Sequence, residues 1–347
     1  MNYKKEKFNL KELLFELCSK IGISGDENNI SQFIKESLSK YGNTTIEKDG
    51  SVICILGNKE GKKSILFDAH IDQIGLIVTF INKDGFLKIS PCGGVDNRQL
   101  LGKKVIIHGE KDVTGIISCV SPHLLKSGSK DKIPNIDDLY VDIGMSKDDA
   151  EKVISVGDRI SIYNKPKELL NGRIASASLD DRAGVAVLMK LAENISKIET
   201  DLKVIICFTT QEEVGSLGAK ISSYKYFPDE AIAVDVSFAR QHDVSGEKYV
   251  NLGDGPMIGI APSLCDEISQ LLIDISEKEN IKYTIEVMGG RTSTNADKIS
   301  ETKTGVKCGL VSIPQRYMHS CTEVVSIEDL ENIVKLLTCY VENGGLN

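Results

Sequence analysis

The sequence reads as an α/β domain interrupted by an all-β insert, and three observations carry that reading. Strand-like apolar runs alternate with helical patterns on either side of a central stretch, as in an α/β sheet. Between about Gly75 and Pro166 the texture changes to short β-type runs (LIVTFI, FLKIS, KKVIIHG, VTGIISCV, LYVDIG, RISIY) separated by Gly, Asp and Asn turns. Many short strands at close spacing predict a small barrel or sandwich. The chain, at 347 residues, is also long enough for two cores. The boundaries drawn this way are 1–75 with 166–347 for the α/β domain and 76–165 for the insert.

The elements follow in order. Leu10, Leu13, Leu14, Leu17 and Ile21 recur at helical spacing up to Gly22, and Ile30, Phe33, Ile34 and Leu38 do so up to Gly42. Strands are predicted at Thr44 to Glu47, Ser51 to Leu56 and Ser64 to Ala69, with turns at Asp49-Gly50 and Gly57-Asn58. Within the insert one short helical piece spans Lys147 to Val153. Beyond it come helix Ala183 to Ile195, strand Val204 to Thr209, a short helix near Val214 to Lys220 and strand Ala231 to Val236. Helix Leu264 to Glu279, strand Tyr283 to Val287, strand Cys308 to Ser312 and helix Ile327 to Glu342 complete the pattern. Ser326 followed by Asp329 predicts a capping box at the last helix.

Composition narrows the function classes. With 42 basic and 50 acidic residues the formal charge is −8, which argues against a nucleic-acid partner. No apolar run approaches the roughly 20 residues that span a bilayer. MNYKKEKFNLKELL has charges but no apolar core of a secretory signal. The nine cysteines form no Cys-x-x-Cys pair and sit in apolar contexts such as Ile53-Cys54, so they read as buried thiols of a cytoplasmic protein.

Five motifs carry chemistry. In FDAHIDQIG an apolar strand ends with His70 and Asp72 on one face, the arrangement of a metal-binding imidazole steadied by a carboxylate. A polar pair closing a strand explains it equally. In SLDDRAGVAVL, Asp180 and Asp181 precede a helix, where either is also explained as an N-cap. In CFTTQEEVGSLGA a strand delivers Glu212 and Glu213 to a turn, where one acid can ligate metal and the other act as base. First-turn acids of a solvated helix explain the pair as well. Asp235 in AIAVDVS ends an apolar run, and a carboxylate there is costly unless paired or metal-bound. His319, in IPQRYMHSCTEVVSIEDL, precedes the last helix and alone reads as a surface histidine.

The set says more than its members. His70, Asp180, Glu213, Asp235 and His319 each fall where a strand of an α/β sheet ends, and mixed N/O donors suit zinc, cobalt or manganese. Five ligands exceed one open catalytic zinc but serve two divalent ions that share a bridging carboxylate. No His-Glu-x-x-His and no Gly-x-Ser-x-Gly is present. GNKEGKKS is one spacer short of a phosphate loop, and GDGPMIG misses the dinucleotide spacing.

In these motifs the chain resembles the tetrahedral or glutamyl-type aminopeptidases, co-catalytic metallopeptidases often also labelled cellulase or endoglucanase. The resemblance runs through GISGDE, AHIDQIG, GFLKISPCGGVDNRQLLGKKVIIHG, SPHLL, DDLYVDIGMSK, LDDRAG, TTQEEVGSLGA, AIAVDVS, LGDGP and RYMHS. It implies a phosphorylase/hydrolase-like three-layer α/β/α catalytic domain with an inserted β-barrel-like dimerisation domain, and dimers that build tetrahedral dodecamers. It implies that His70 and Asp235 hold one ion, Glu213 and His319 the other, with Asp180 bridging and Asp181 packed behind. Glu212 would be the general base and Asp72 would orient His70. Substrates would be peptides with a free N-terminus. The chain departs from the family at DVSFARQHDVSG and GGRTSTNADKI, which would line the substrate pocket. Arg291 there either favours acidic side chains or pairs with a neighbouring carboxylate. A related deacylase or dipeptidase, and a catalytically silent assembly protein, are the alternative functions.

Overall fold

The computed structural model describes residues 8–124, 133–244, 246 and 249–346. The first seven residues, Leu125 of SPHLL and Ser245 of DVSFARQHDVSG lie outside them. Helices α1 (Leu10–Cys18) and α2 (Asn28–Leu38) lead into strands β1 (Asn43–Ile46), β2 (Val52–Gly57) and β3 (Ser64–His70). The insert contributes β4 (Gly75–Ile81), β5 (Leu87–Cys92), β6 (Lys104–His108), β7 (Asp112–Ser118), β8 (Tyr140–Asp142), α3 (Lys147–Ala150) and β9 (Arg159–Ile162). Next come β10 (Lys167–Leu169), β11 (Arg173–Ser176), α4 (Leu179–Ile195), β12 (Lys203–Thr209), α5 (Leu217–Tyr226) and β13 (Glu230–Phe238). The chain ends with β14 (Met257–Ile260), α6 (Asp266–Lys278), β15 (Thr284–Val287), α7 (Asn295–Ser300), β16 (Lys307–Gln315), β17 (Glu323–Ser326) and α8 (Ile327–Glu342).

Eight strands form one sheet in the order β1-β2-β12-β3-β13-β16-β14-β15. Its centre, β12-β3-β13-β16, is parallel. A parallel sheet covered on both faces needs strands apolar on both faces, and VIICF and AIAV are such runs. Alternate residues enter opposite cores. Phe67 and Ala69 join Val185, Leu188 and Leu337 on one side, while Leu66 joins Ala219, Ala296 and Ile299 on the other. The result is three layers, with α5 and α7 on the second side. The six insert strands close a barrel in the order β4-β5-β8-β7-β6-β9, around Leu76, Val105, Ile107, Val141 and Ile160.

The structure differs from the sequence reading in several places. Helix α1 stops at Cys18, so Ile21 lies beyond it. Val214 and Gly215 belong to a turn, with Gly215 at φ +122°, and α5 begins only at Leu217. A three-stranded sheet, β10-β11-β17, along with β14 and α7, has no counterpart in the prediction. The capping box at α8 does not form: Ser326 makes no side-chain cap bond. Asp329 instead accepts from the backbone N–H of Gly253 and Gly255, at 2.8 and 2.9 Å, and ties down the LGDGP turn.

Phe67 is fully buried in β3, directly behind the strand end that carries His70. Phe67→Ala should cost about 3–5 kcal/mol through lost burial and the cavity left behind. Urea denaturation of both proteins measures it, and a shift under about 1 kcal/mol would contradict the packing.

Candidate metal centre

Adjacent parallel strands place the predicted residues at one edge of the sheet. His70 ends β3, Glu212 and Glu213 follow β12, and His319 follows β16. Asp235 lies within β13, which runs on to Phe238, so it is not a strand-end residue as expected. Asp180 enters from another direction. It follows β11 of the small sheet and opens α4, where it and Asp181 depart from helical angles. The peptide joining those two aspartates is cis.

The five candidate ligands converge. His70 Nε2 lies 3.0 Å from Asp180 Oδ1 and 3.9 Å from Asp235 Oδ1. His319 Nε2 lies 3.3 Å from Asp180 Oδ2 and 3.4 Å from Glu213 Oε1. Asp180 therefore offers one oxygen to each histidine. Ligand atoms of His70, Asp180 and Glu213 fall within 4.8 Å of one another, and so do those of His70, Asp181 and Asp235.

Asp72 organises the approach. Fully buried, it accepts from Ser24 Oγ (2.7 Å), from Glu212 N (2.9 Å) and from Glu213 N (3.2 Å). His70 Nδ1 is 3.1 Å from the Asp72 carbonyl and 3.4 Å from its carboxylate. Burial alone would raise the Asp72 carboxyl, but His70, Ser24 and Glu212 outweigh it and hold it below the usual range. His319 Nδ1 in turn lies 3.1 Å from the carbonyl of Gly94, which can only accept. Both rings thus direct Nδ1–H outward to an acceptor and turn Nε2 inward, the orientation that metal-binding imidazoles adopt.

The electrostatics favour a cation among these groups. Burial pushes Asp235 well up and Glu213 to about 8, with Asp180 adding repulsion. Hydrogen bonding to Asp180 raises His319 to about 9 against the opposing effect of burial. Without a cation, protons must neutralise the cluster. Asp181 adds a buried oxygen, Oδ2, that has no hydrogen-bond partner among the described residues, while its Oδ1 caps α4 at Gly184 N, 3.0 Å away. The N-cap reading of the Asp-Asp pair therefore holds for Asp181, and Asp180 is the one that faces the histidines. Imidazole and carboxylate donors, buried and short of positive charge, fit divalent metal.

Sequence reasoning missed three contributors. Gly93 and Gly94 follow the barrel strand β5 and press on the site: a Cβ on Gly94 would lie 2.6 Å from His319 Nδ1, and one on Gly93 would lie 3.1 Å from Glu213. Glu323, 1% exposed on β17, accepts from the backbone N–H of both Asp180 and His319. A lone acid in the apolar run around Val324 and Val325 was the available signal. Glu212 borders a cleft of about 220 Å³ with Arg291, Thr294, Asp297 and Lys298. The Arg291 charge acts on Glu301, which Lys298 binds more closely and holds low.

The M42 glutamyl aminopeptidase family profile matches residues 50–336. The lysyl aminopeptidase of Pyrococcus furiosus is 30% identical over 95% of this chain and 96% of its own length. The structure of aminopeptidase APDkam598 from the archaeon Desulfurococcus kamchatkensis superposes with a TM-score of 0.90 at 34% identity, over 96% of this chain and 94% of that one. The Pyrococcus horikoshii TET1 peptidase, described as assembling into a tetrahedron or a large octahedral shell, gives 0.84 at 32% identity over 95% and 98%. The chain belongs to the M42 glutamyl aminopeptidase family.

Gly94→Ala should displace the His319 ring and weaken metal retention about 10–100-fold, the usual effect of disturbing a ligand's support. Metal content after dialysis against a graded chelator, compared with the parent protein, measures it. Unchanged retention would mean that the ring is not held by this contact.

Proposed function

From that membership we propose a metal-dependent aminopeptidase that releases single residues from the free N-termini of peptides. The observation that carries this reading is Asp180, with one carboxylate oxygen toward each of two histidines. His70 and Asp235 would hold one divalent ion, Glu213 and His319 a second, and Asp180 both. Zinc or cobalt, with manganese as a third option, suits these donors. When bound, such a pair lowers the pKa of water and polarises a carbonyl.

The chain's own residues supply the rest. Glu212 Oε1 accepts from Ser216 Oγ at 3.3 Å, and burial raises the Glu212 carboxyl. A carboxylate tuned upward accepts a proton from the attacking water and returns it to the departing amine. Asp72 holds the Glu212 backbone and the His70 ring together, so base and ligand keep one geometry. The cleft beside Glu212, lined by Arg291 and Thr294, would receive part of the substrate.

The barrel is proposed as the dimerisation domain of a homo-oligomer, a dimer or a tetrahedral dodecamer. Exposed apolar side chains on it, Phe80 (58%), Ile116 (44%) and Leu124 (79%), support that role. Among the described residues no helix is long and apolar enough to cross a membrane. The nine unpaired cysteines support a reducing, cytoplasmic setting.

An assay of metal-reconstituted protein over aminoacyl and N-acyl chromogenic amides tests the activity, and turnover of the N-acyl set alone would overturn it. Glu212→Gln should keep its metal and lose about 10²–10⁴-fold in kcat; full activity in that variant would remove Glu212 from its role. Metal uptake should also release protons. His319, raised to about 9, is protonated in the metal-free protein at pH 7.5, and a ligand must be deprotonated. Apparent affinity should therefore rise with pH until the His319 pKa is passed. Calorimetric titration in buffers of different ionisation enthalpy counts the protons, and a count of zero would contradict the assignment.

A further inference from the structure

The two histidines are held in different ways. The His70 side chain, 2% exposed, ends a central strand, and the neighbouring Asp72 grips its ring. The His319 side chain is 36% exposed, and its backbone stands at φ +57°, a left-handed conformation that disfavours any residue but glycine. Such a conformation persists only when the surroundings impose it. Two contacts do so: the Gly94 carbonyl on the ring, and Glu323 on the backbone.

Glu323 stands at the start of β17, opposite Ser176 of β11, the strand that leads to Asp180. Its Oε1 accepts from His319 N at 3.0 Å and its Oε2 accepts from Asp180 N at 3.1 Å. One rigid planar carboxylate therefore clips two loops that meet nowhere else in sequence. It fixes how far the Asp180 side chain stands from the His319 ring, now 3.3 Å. Among the described hydrogen bonds no comparable clip joins Asp180 to β3, where side chains alone make the contact. Both Glu323 oxygens accept from backbone amides, and Glu323 belongs to neither of the groups of mutually close ligand atoms around His70.

The geometry points to Glu323 as a positioning residue that sets the Asp180–His319 spacing and thereby the affinity of the ion position those residues share with Glu213. Among the described hydrogen bonds no contact of Glu323 reaches the His70 ring, which Asp72 holds. The inference rests on the two-ion reading proposed above. A purely structural role for Glu323 would lower stability and affect both positions alike; a positioning role divides them.

Glu323→Gln preserves volume but replaces one acceptor by an NH₂ group, which cannot accept from an amide N–H, so one clip is lost. Glu323→Ala loses both. Metal-free wild type and both variants are titrated with Co²⁺, following heat and the visible absorption band, with circular dichroism and the unfolding midpoint as checks on folding. The expected result is two equivalents in the wild type. In Glu323→Gln one should keep its affinity and the other weaken about 10–100-fold, with a larger loss in Glu323→Ala. Two unchanged equivalents in folded Glu323→Gln, or two equally weakened, overturn the inference. A wild type that binds a single equivalent sinks the two-ion reading instead. Glu323→Gln must then still weaken that equivalent, because Asp180 faces both histidines, and unchanged binding overturns the role of Glu323. Should Glu323→Ala fail to fold, Glu323→Gln and Glu323→Asp, whose shorter side chain cannot span both amides, decide the question by the same criteria.

Discussion

Asp72 takes hydrogen bonds from Ser24, Glu212 and Glu213 while facing His70 from within the core, with no exposure to solvent. A carboxylate in that position is expensive unless donors surround it, because burial disfavours its charge. Here the carboxylate, on the loop that leaves β3, draws its donors from two other segments: the GISGDE loop and the turn after β12. Satisfying this one buried charge therefore fixes three loops relative to one another. The placement of Glu212, the inward Nε2 of His70 and the closeness of Glu213 all depend on it. A hydrogen bond to a charged group contributes about 1.5–3 kcal/mol, so several around one carboxylate can hold a cluster of mutually repelling acids together.

What the sequence disclosed follows the physics of the sheet. Parallel strands buried on both faces require uninterrupted apolar runs, and polar residues at the ends of such runs stand out. His70, Glu212 and Glu213 were legible for that reason, and Asp235 was legible as an acid at the end of one, although its strand runs on to Phe238. The three-stranded sheet β10-β11-β17 was not legible, since KEL is wholly exposed and RIAS is too short to show a period. Helix α7, six residues long, likewise gives no periodic signal. Asp329 misled for a different reason. Its spacing from Ser326 matches a capping box, yet two backbone amides of a distant turn compete for the same oxygens and win. Local pattern cannot register a partner more than seventy positions away. Glu323 was missed for another reason: both of its partners are backbone groups and carry no residue-type signature.

The barrel also shapes the centre in a way that composition conceals. The turn after β5 brings Gly93 and Gly94 against Glu213 and His319, with no room for a side chain at Gly94. Gly94 has no left-handed backbone to explain it, so close approach is the physical reason for glycine there. One half of the cluster thus borders residues from outside the α/β layers, whereas the His70 half is built from the sheet and α4. The two halves consequently differ in exposure and in how their histidines are anchored.

Five of the eleven non-glycine residues with left-handed backbone among the described residues stand around the same region. Ser178, Gln211, Ser216, Tyr317 and His319 all have φ between +57° and +63°. Each lies within a few residues of Asp180, of the Glu212-Glu213 pair or within the His319 loop. Such conformations cost about 1–3 kcal/mol apiece and survive only where surrounding contacts over-determine them. Here those contacts are identifiable: Asp72 on the turn after Gln211, Glu323 on His319 and on the segment after Ser178. The strain and the buried carboxylates that restrain it belong to one arrangement. An unstrained loop would point these acids apart, as their repulsion favours, and the site exists because the core denies them that relaxation.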